Sequence, residues 1–209
     1  MGQRQLALIG AGGFATVTRA IIGAGGFAQD IKGMIGTDIL CFVDDEYYHG
    51  EKNIMPLSKF DPEKYEVVVT IAAPQMRRGI VARMPAGTKY FNVIHPSAQF
   101  LGDVEIGIGC VISANCILVH GTKIGDHCHL NHGTILGHDV HAGDYFTTAP
   151  GAKIMGNNEI GDCVYIGTNA ATKQKIKIVS GVTVGLNAGV VKNLMEPGVY
   201  VGTPAVRIK

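Results

Sequence analysis

Residues 106–136 read IGIGCVISANCILVHGTKIGDHCHLNHGTIL, and an apolar side chain returns at every sixth position of this stretch. The register continues on both sides without a slip, with alanine or threonine at a few positions. Its sixteen anchor residues are Phe100, Ile106, Ile112, Leu118, Ile124, Leu130, Leu136, Ala142, Thr148, Ile154, Ile160, Ile166, Thr172, Ile178, Val184 and Val190. A period of six matches neither the α-helix, with a period of 3.6, nor the β-strand, with a period of 2.0. It is typical of hexapeptide repeats, which fold as a parallel β-helix.

The other positions of the repeat fit the corners of such a coil. The residue four positions after an anchor is usually compact, as at Cys110, Cys116 and Thr134, and a glycine often follows the anchor itself. In a β-helix each hexapeptide forms one short strand and one corner, so three hexapeptides make a triangular coil of about 18 residues, and coils stack about 4.8 Å apart. Sixteen anchors therefore predict about five coils of a left-handed parallel β-helix.

The segment before the β-helix has the pattern of a small α/β domain. The motif IGAGGFA occurs at residues 9–15 and again at residues 22–28. Further along, residues 65–71 read YEVVVTI and predict a buried strand, residues 75–84 predict a helix, and residues 90–94 predict a short strand. This alternation predicts a Rossmann-like parallel sheet, in which ligands bind beyond the carboxyl ends of the strands.

Each copy of the glycine motif has the form that lets a backbone approach a phosphate at a helix N-terminus. An acidic residue about 20 positions later can contact a ribose. Asp44 lies 21 residues after Gly23 (44 − 23) but 34 residues after Gly10 (44 − 10). We therefore take the second copy as the ligand-binding loop and residues 1–16 as an extension that carries a duplicate. The predicted substrate-binding residues of this domain are Gly23, Gly25, Gly26, Phe27, Asp44 and Asp45.

The dipeptide His95-Pro96 is the predicted boundary between the two domains, because the residue before a proline is pushed out of the helical conformation. The chain is thus divided into a Rossmann-like domain at residues 1–95 and a β-helix domain at residues 96–209.

Composition narrows the possible partners. The 18 basic and 17 acidic residues leave no excess charge for nucleic acid. No apolar run reaches the roughly 18 residues of a spanning helix, so we expect no membrane insertion. Residues 1–15 contain an arginine followed by a short apolar stretch, as a signal peptide does, but their glycine pattern argues against one. The cysteines fit compact core positions better than disulfides or metal sites, and such thiols suit a reducing cytoplasm. The expected partners are small molecules and other copies of the chain.

The candidate catalytic residues share one column of the solenoid. Residues 18 apart occupy equivalent places on adjacent coils, so His120, His138 and Gly156 lie above one another, about 5 Å apart. His138, with Asp139 to hold its tautomer, suits a general base, and the Gly156 N–H suits an oxyanion donor. These are the two halves of an acyl-transfer site.

Other roles for the histidines are alternatives. We expect His127, His129 and His141 on a polar outer face. A zinc ion shared by His120 and His138 needs a third ligand that the sequence does not offer clearly, so no metal is predicted.

Four segments are similar to one known family. They are the glycine loop with Val43-Asp44-Asp45, LNHGTILGHD at residues 130–139, Pro150-Gly151-Ala152 with Gly156-Asn157, and GVYVGTPA at residues 198–205. From about Thr18 onward, the chain resembles the bacterial sialic acid O-acetyltransferase and nucleotide-aminosugar N-acetyltransferase family, which includes the UDP-4-amino-sugar acetyltransferase of bacillosamine synthesis. Phe27 departs from the pattern, because members acting on UDP-linked amino sugars often carry a histidine there.

The resemblance implies roles for particular residues. His138 is the general base, Asp139 supports it, the Gly156 backbone meets the acetyl carbonyl of acetyl-CoA, and Asn131 lines the same pocket. It also implies a homotrimer, with coenzyme A between neighbouring β-helices and the nucleotide on the N-terminal domain.

Two further residues are candidates for cofactor binding. Ala152 belongs to one of the family segments. Lys173 leads a group with Lys175 and Lys177 for which a solvated loop is the favoured interpretation, with contact to the phosphates of coenzyme A as the other.

The predicted function is acetyl-CoA-dependent N-acetylation of a nucleotide-linked 4-amino-deoxysugar by direct transfer. One alternative keeps the chemistry and changes the acceptor to a sialic acid hydroxyl. Another is a non-catalytic solenoid that binds a sugar nucleotide. The sequence does not identify the nucleotide, the sugar or the pathway.

Overall fold

The computed structural model describes residues 18–36 and 39–209. The first copy of the glycine motif and the predicted extension at residues 1–16 lie outside the described residues. The described chain begins with a five-stranded parallel sheet in the order β3-β2-β1-β4-β5, flanked by two helices. Its elements are β1 (Thr18–Ile22), α1 (Gly26–Ile35), β2 (Leu40–Val43), β3 (Ile54–Pro56), β4 (Tyr65–Val69), α2 (Pro74–Arg83) and β5 (Lys89–Tyr90).

The central strands of this sheet are buried because helices or the second domain cover both faces. Ala20, Ile21, Val67 and Val68 are fully inaccessible to solvent, which matches the continuous apolar runs of β1 and β4. The chain order reverses at β1, between β2 and β4, so the loops that follow these three strands open into a common cleft. The Rossmann-like prediction is confirmed, and the sequence analysis did not predict the short edge strand β3.

The remaining chain forms a triangular solenoid with three parallel sheets, which we call faces 1, 2 and 3. Face 1 contains β6 (Val93–Ile94), β9 (Val111–Ile112), β12 (His129–Leu130), β15 (Thr147–Thr148), β18 (Tyr165–Ile166), β21 (Val182–Val184), β23 (Gly198–Val201) and the antiparallel β24 (Val206–Arg207). Face 2 contains β7 (Gln99–Leu101), β10 (Ile117–Val119), β13 (Ile135–Leu136), β16 (Lys153–Ile154), β19 (Ala171–Thr172) and β22 (Gly189–Val190). Face 3 contains β8 (Glu105–Ile106), β11 (Lys123–Ile124), β14 (His141–Ala142), β17 (Glu159–Ile160) and β20 (Lys177–Ile178).

The six-residue period of the sequence determines which side chains pack inside the solenoid. Neighbouring strands pair residues 18 apart, as in Leu118 with Leu136 and Leu136 with Ile154. Every anchor is buried except Phe100 and Ile106, which are partly exposed in the first coil. The corner positions are buried too, and all five cysteines are free and buried, as the sequence predicts. The left-handed β-helix is thereby confirmed.

The two domains run directly into one another. The strand predicted near residues 90–94 is split, because β5 ends the first sheet while Val93 donates its N–H to Cys110 O at 2.8 Å and so starts face 1. We therefore propose that the solenoid begins at Val93, just before the boundary predicted after His95.

The N-terminal domain rests on the first coils of face 1. The expectation that His127 and His129 decorate an outer surface is wrong, because this domain covers both of them, leaving 4% and 1% of their surfaces exposed. His141 on face 3 is exposed, as expected. In the part of the chain that the structure describes, neither helix combines the length and hydropathy needed to cross a bilayer.

Candidate functional site

The three edges of the solenoid carry most of its exposed polar side chains, and we name each edge by the faces that it joins. His138 and Asp139 lie on edge 2–3, in the corner between β13 and β14. Asp139 adopts a left-handed backbone conformation (φ 55°), which an aspartate tolerates better than most residues. This corner turns both side chains outward, and each is almost half exposed.

His138 and Asp139 form a hydrogen-bonded pair. His138 Nδ1 lies 2.9 Å from Asp139 Oδ2. This hydrogen bond lowers the pKa of the Asp139 carboxyl below its ordinary value. An ionised carboxylate only accepts hydrogen bonds, which assigns the imidazole proton to Nδ1 and leaves Nε2 as the proton acceptor. The pair is therefore arranged as a general base with a fixed tautomer.

Gly156 lies one coil below His138, directly under its ring. A Cβ atom on Gly156 would lie 2.5 Å from His138 Nε2 and 2.8 Å from Cε1 and Cδ2. No side chain fits at position 156 in this arrangement. Because Gly156 has none, His138 Nε2 can lie directly over the backbone. The predicted proximity of His138, Asp139 and Gly156 is thus observed.

The amide of Gly156 donates to no acceptor among the hydrogen bonds of the described residues, although Gly156 itself is buried. Its neighbours are engaged, since Met155 N–H donates to Thr172 Oγ1 and Asn157 N–H donates to His138 O. A Cβ atom on Gly137 would lie only 2.7 Å from Gly156 N. Glycine at position 137 therefore keeps a side chain off this amide, as an oxyanion donor requires.

His120 completes the column above His138. The two rings are nearly parallel, with centroids 5.7 Å apart and an interplanar angle of 12°. Donor atoms of His120, His138 and Asp139 all lie within 4.8 Å of one another, so Asp139 is the third ligand that the zinc alternative lacked. Tetrahedral zinc needs ligands about 3.3 Å apart that converge on one point. Parallel rings do not converge, and the Asp139 carboxylate already binds His138, so the arrangement fits a base better than a metal site.

Two other predicted residues lie elsewhere. Asn131 and Ala152 are on edge 1–2, separated from His138 by the full width of face 2, so the expectation that Asn131 shares a pocket with His138 is not met within one chain. The reason is that His138 lies seven positions after Asn131. Each hexapeptide forms one strand and one corner, so a separation of more than six positions places His138 on the next edge. The Ala152 side chain is fully buried, so only its backbone can meet a ligand. Lys173 is exposed on edge 2–3, beyond Gly156.

The second candidate region is the cleft at the carboxyl ends of β1, β2 and β4, with a volume of about 880 Å³. Gly23 requires glycine, because its φ is 127° and a Cβ would lie 2.7 Å from Thr70 Oγ1. At Gly25 and Gly26 a Cβ would meet nothing within 4 Å. The glycines there serve no packing purpose in the chain and leave room for a ligand at the start of α1, which no side chain caps.

The remaining predicted residues of the cleft have defined partners. Phe27 lines the cleft and packs against His129, with ring centroids 5.0 Å apart. Asp44 also lines the cleft, and both its oxygens accept hydrogen bonds from Arg83 Nη2 at 3.0 Å. Asp45 does not line this cleft. Its carboxylate accepts the Ser58 N–H at 3.0 Å, and hydrogen bonding by the Ser58 side chain, followed by that of the Ser58 N–H, lowers the pKa of Asp45. Asp45 therefore serves the loop rather than the cleft.

Two arginines escaped the sequence analysis. Arg83 faces Asp44 at the cleft. Arg77 is completely buried at the junction of the domains. The helical period does place Arg77 on the buried face of α2 with Pro74 and Ile80, and this spacing is the signal that could have found it.

Comparison with known proteins supports both halves of this description. Residues 5–84 match the PglD N-terminal domain family. GDP-perosamine N-acetyltransferase of Escherichia coli O157:H7 is 33% identical over 90 residues, covering 43% of this chain and 41% of that protein. The chain therefore matches less than half the length of this relative.

Two solved structures match nearly the whole chain. The acetyltransferase domain of PglB from Neisseria gonorrhoeae FA1090, in complex with acetyl coenzyme A, is 28% identical with a TM-score of 0.81, over 92% of this chain and 99% of that one. WeeI from Acinetobacter baumannii AYE is 28% identical with a TM-score of 0.83, over 92% and 100%. By these matches, the hexapeptide solenoid and the glycine-loop domain, the chain is similar to hexapeptide-repeat N-acetyltransferases of nucleotide-linked amino sugars.

Proposed function

We propose that the protein is an acetyl-CoA-dependent N-acetyltransferase that acts on the amino group of a nucleotide-linked 4-amino-deoxysugar. The observation that carries this proposal is the position of His138 Nε2 directly over the Gly156 backbone, with Nδ1 held by Asp139. A base and an oxyanion donor one coil apart are what a direct acyl transfer needs.

The reaction follows from this geometry. The sugar amine attacks the thioester carbonyl carbon, a C–N bond forms, and the amine proton passes to His138 Nε2. The carbonyl oxygen, now negative, accepts a hydrogen bond from the Gly156 N–H. When the C–S bond breaks, the coenzyme A thiolate leaves and recovers the proton from His138. The products are the N-acetyl sugar and free coenzyme A.

A covalent acyl-cysteine is not part of this mechanism. All five cysteines are buried. Burial raises the pKa of Cys116 to about 11 and also raises the pKa values of Cys128 and Cys163. Nucleophilic cysteines need an accessible thiolate, so direct attack by the amine fits the chain better. Buried free thiols also support a cytoplasmic location.

The chemistry of the cleft suits the nucleotide part of a nucleotide-linked sugar. Backbone N–H groups at the start of α1 suit the diphosphate, and Asp44 suits a ribose hydroxyl. The GDP-perosamine relative is consistent with this class of substrate. On edge 2–3, the exposed Lys173 and Lys175 lie beyond Gly156 and suit the phosphates of coenzyme A, which the PglB domain binds as acetyl coenzyme A. No metal is required.

The positions of the two regions support an oligomer, and we propose a homotrimer. The nucleotide domain rests on face 1, whereas His138 lies on edge 2–3, the edge opposite face 1 in a triangular solenoid. One bound substrate cannot extend around the solenoid to reach both. Asn131 and Ala152 on edge 1–2 would likewise meet His138 only across an interface. A ring of protomers brings the cleft of one chain to the His138 of the next.

Mixed trimers test this arrangement. We expect His138→Ala and Gly25→Val variants to be inactive alone, the second because a side chain would occupy the phosphate position without touching the protein. Co-expressed and purified through two different tags, they should regain about a third of the wild-type activity, since each mixed trimer has one interface of three that pairs an intact cleft with an intact histidine. Inactive mixed trimers would show that cleft and histidine come from the same chain.

The function itself is tested by thiol release from acetyl-CoA against UDP-, dTDP- and GDP-linked 4-amino sugars, with free and CMP-linked sialic acid beside them. We expect release with one amino sugar. Release only with sialic acids would move the function to O-acetylation at the same site. No release from any acceptor, with the sugar nucleotide still bound, would favour the non-catalytic alternative.

A further inference from the structure

Arg77 lies at the junction of the two domains and is completely buried. Its side chain extends from α2 toward the first coils of face 1. Nε donates to His127 O at 2.8 Å, and Nη2 donates to Tyr145 O at 2.9 Å and to Thr147 Oγ1 at 2.6 Å. These three acceptors belong to the solenoid, so one side chain of the N-terminal domain is hydrogen-bonded to two successive coils.

The remaining nitrogen holds the N-terminal domain itself. Nη1 donates to Ile71 O at 2.6 Å and to Ala72 O at 3.1 Å, and lies 3.1 Å from His129 Nδ1. The guanidinium is a rigid planar fork, so its bonds to Ile71 and Ala72 fix the direction of its bonds to the solenoid. A flexible ammonium does not offer this coupling.

No carboxylate is among the partners of Arg77. Burial lowers its pKa to about 10, so the group still carries its charge at neutral pH, balanced by neutral carbonyl, hydroxyl and imidazole acceptors. A buried charge of this kind is costly unless every donor is satisfied. A junction held only for stability could use apolar side chains instead, which points to a requirement for orientation.

The residues that Arg77 holds are walls of the nucleotide cleft. Ile71 and Ala72 line it on the β4 side, and Phe27 lines it on the glycine-loop side. Phe27 packs against His129, the histidine that contacts Arg77. The guanidinium group of Arg77 therefore fixes the positions of both walls, one through Ile71 and Ala72 and the other through His129, although Arg77 does not line the cleft.

We propose that Arg77 is a positioning residue for the nucleotide sugar, which sets the cleft at a fixed angle to the solenoid and so delivers the sugar amine to His138 of the neighbouring protomer. This inference rests on the proposed function. It assigns to Arg77 no contact with the substrate and no part in the chemistry of acetyl transfer. Its effect should appear only when the acceptor is held through its nucleotide.

The experiment compares two acceptors of the same chemistry, the nucleotide-linked amino sugar and the corresponding free amino sugar. In Arg77→Met and Arg77→Lys, we expect kcat/KM for the nucleotide-linked acceptor to fall about 10- to 100-fold, because displacements near 1 Å cost that much. The kcat/KM for the free amino sugar and the KM for acetyl-CoA should stay at the wild-type values. Arg78→Met, one residue away and exposed, should change neither acceptor.

Thr147→Val is a milder variant that keeps the shape of the junction and removes one acceptor of Arg77. It should shift the ratio of the two acceptors in the same direction by a smaller factor, and it replaces Arg77→Met if that variant does not fold. An equal loss with both acceptors would mean that Arg77 is only structural, and no loss would also overturn the inference. If the wild type transfers acetyl to no nucleotide sugar, the proposed function fails instead.

Discussion

The His138→Ala variant is expected to transfer acetyl groups about 10²- to 10⁴-fold more slowly than the wild type, the usual contribution of a positioned general base. His138 is the side chain whose free nitrogen lies over the Gly156 backbone, so without it the attacking amine has no proton acceptor at that position. The loss should fall on kcat, while the KM for acetyl-CoA changes little. Steady-state thiol release at saturating acetyl-CoA measures both.

Two companion variants give this result its meaning. His141→Ala removes an exposed histidine from face 3, three residues away, and should keep near wild-type activity. Asp139→Asn should cause a smaller loss than His138→Ala, because the imidazole remains but its tautomer is no longer fixed. The lowered pKa of Asp139 means that the wild-type carboxylate stays ionised at neutral and mildly acidic pH, so its support is present there and is lost only in strong acid. Full activity in His138→Ala would assign the proton transfer to another group.

The sequence predicted the solenoid because its register is local. A six-residue period fixes which side chains enter the core and which residues lie 18 apart, and that arithmetic alone predicts His138 over Gly156. The glycine loop is equally predictable because its motif is local. The structure agrees with it, since Gly23 has a positive φ and a Cβ at Gly25 or Gly26 would meet nothing within 4 Å. Asn131 could have been assigned to another edge by the same counting, because its separation from His138 exceeds one hexapeptide.

The contacts between the domains could not be predicted in this way. His127 and His129 fall at solenoid positions that point outward, and only the packing of a separate domain on face 1 buries them. Arg77 and Arg78 are adjacent and chemically identical, yet one is fully buried and the other is exposed. The helical period places Arg77 on the same face as Ile80, but what covers that face and the two histidines depends on long-range packing, which a periodic pattern within one segment does not encode.

The Gly156→Ala variant separates the geometry of the base from its presence. A methyl group at this position would collide with His138 Nε2 at 2.5 Å, while the His138 side chain is 41% exposed and free to swing outward. We therefore expect little change in melting temperature and a fall in kcat of about 100-fold, since a displacement of the base near 1 Å is enough for such a loss. Thermal unfolding and thiol release measure the two effects on the same preparation.

The double variant Gly156→Ala/His138→Ala shows whether the glycine acts through the histidine. If the methyl group harms catalysis by displacing His138, adding it to His138→Ala should cost little more, and the two losses should be strongly non-additive. Additive losses would mean that the methyl group acts on something else, such as the approach of the thioester oxygen to the Gly156 N–H. The outcome therefore decides whether position 156 must be glycine to seat the base or to expose the amide.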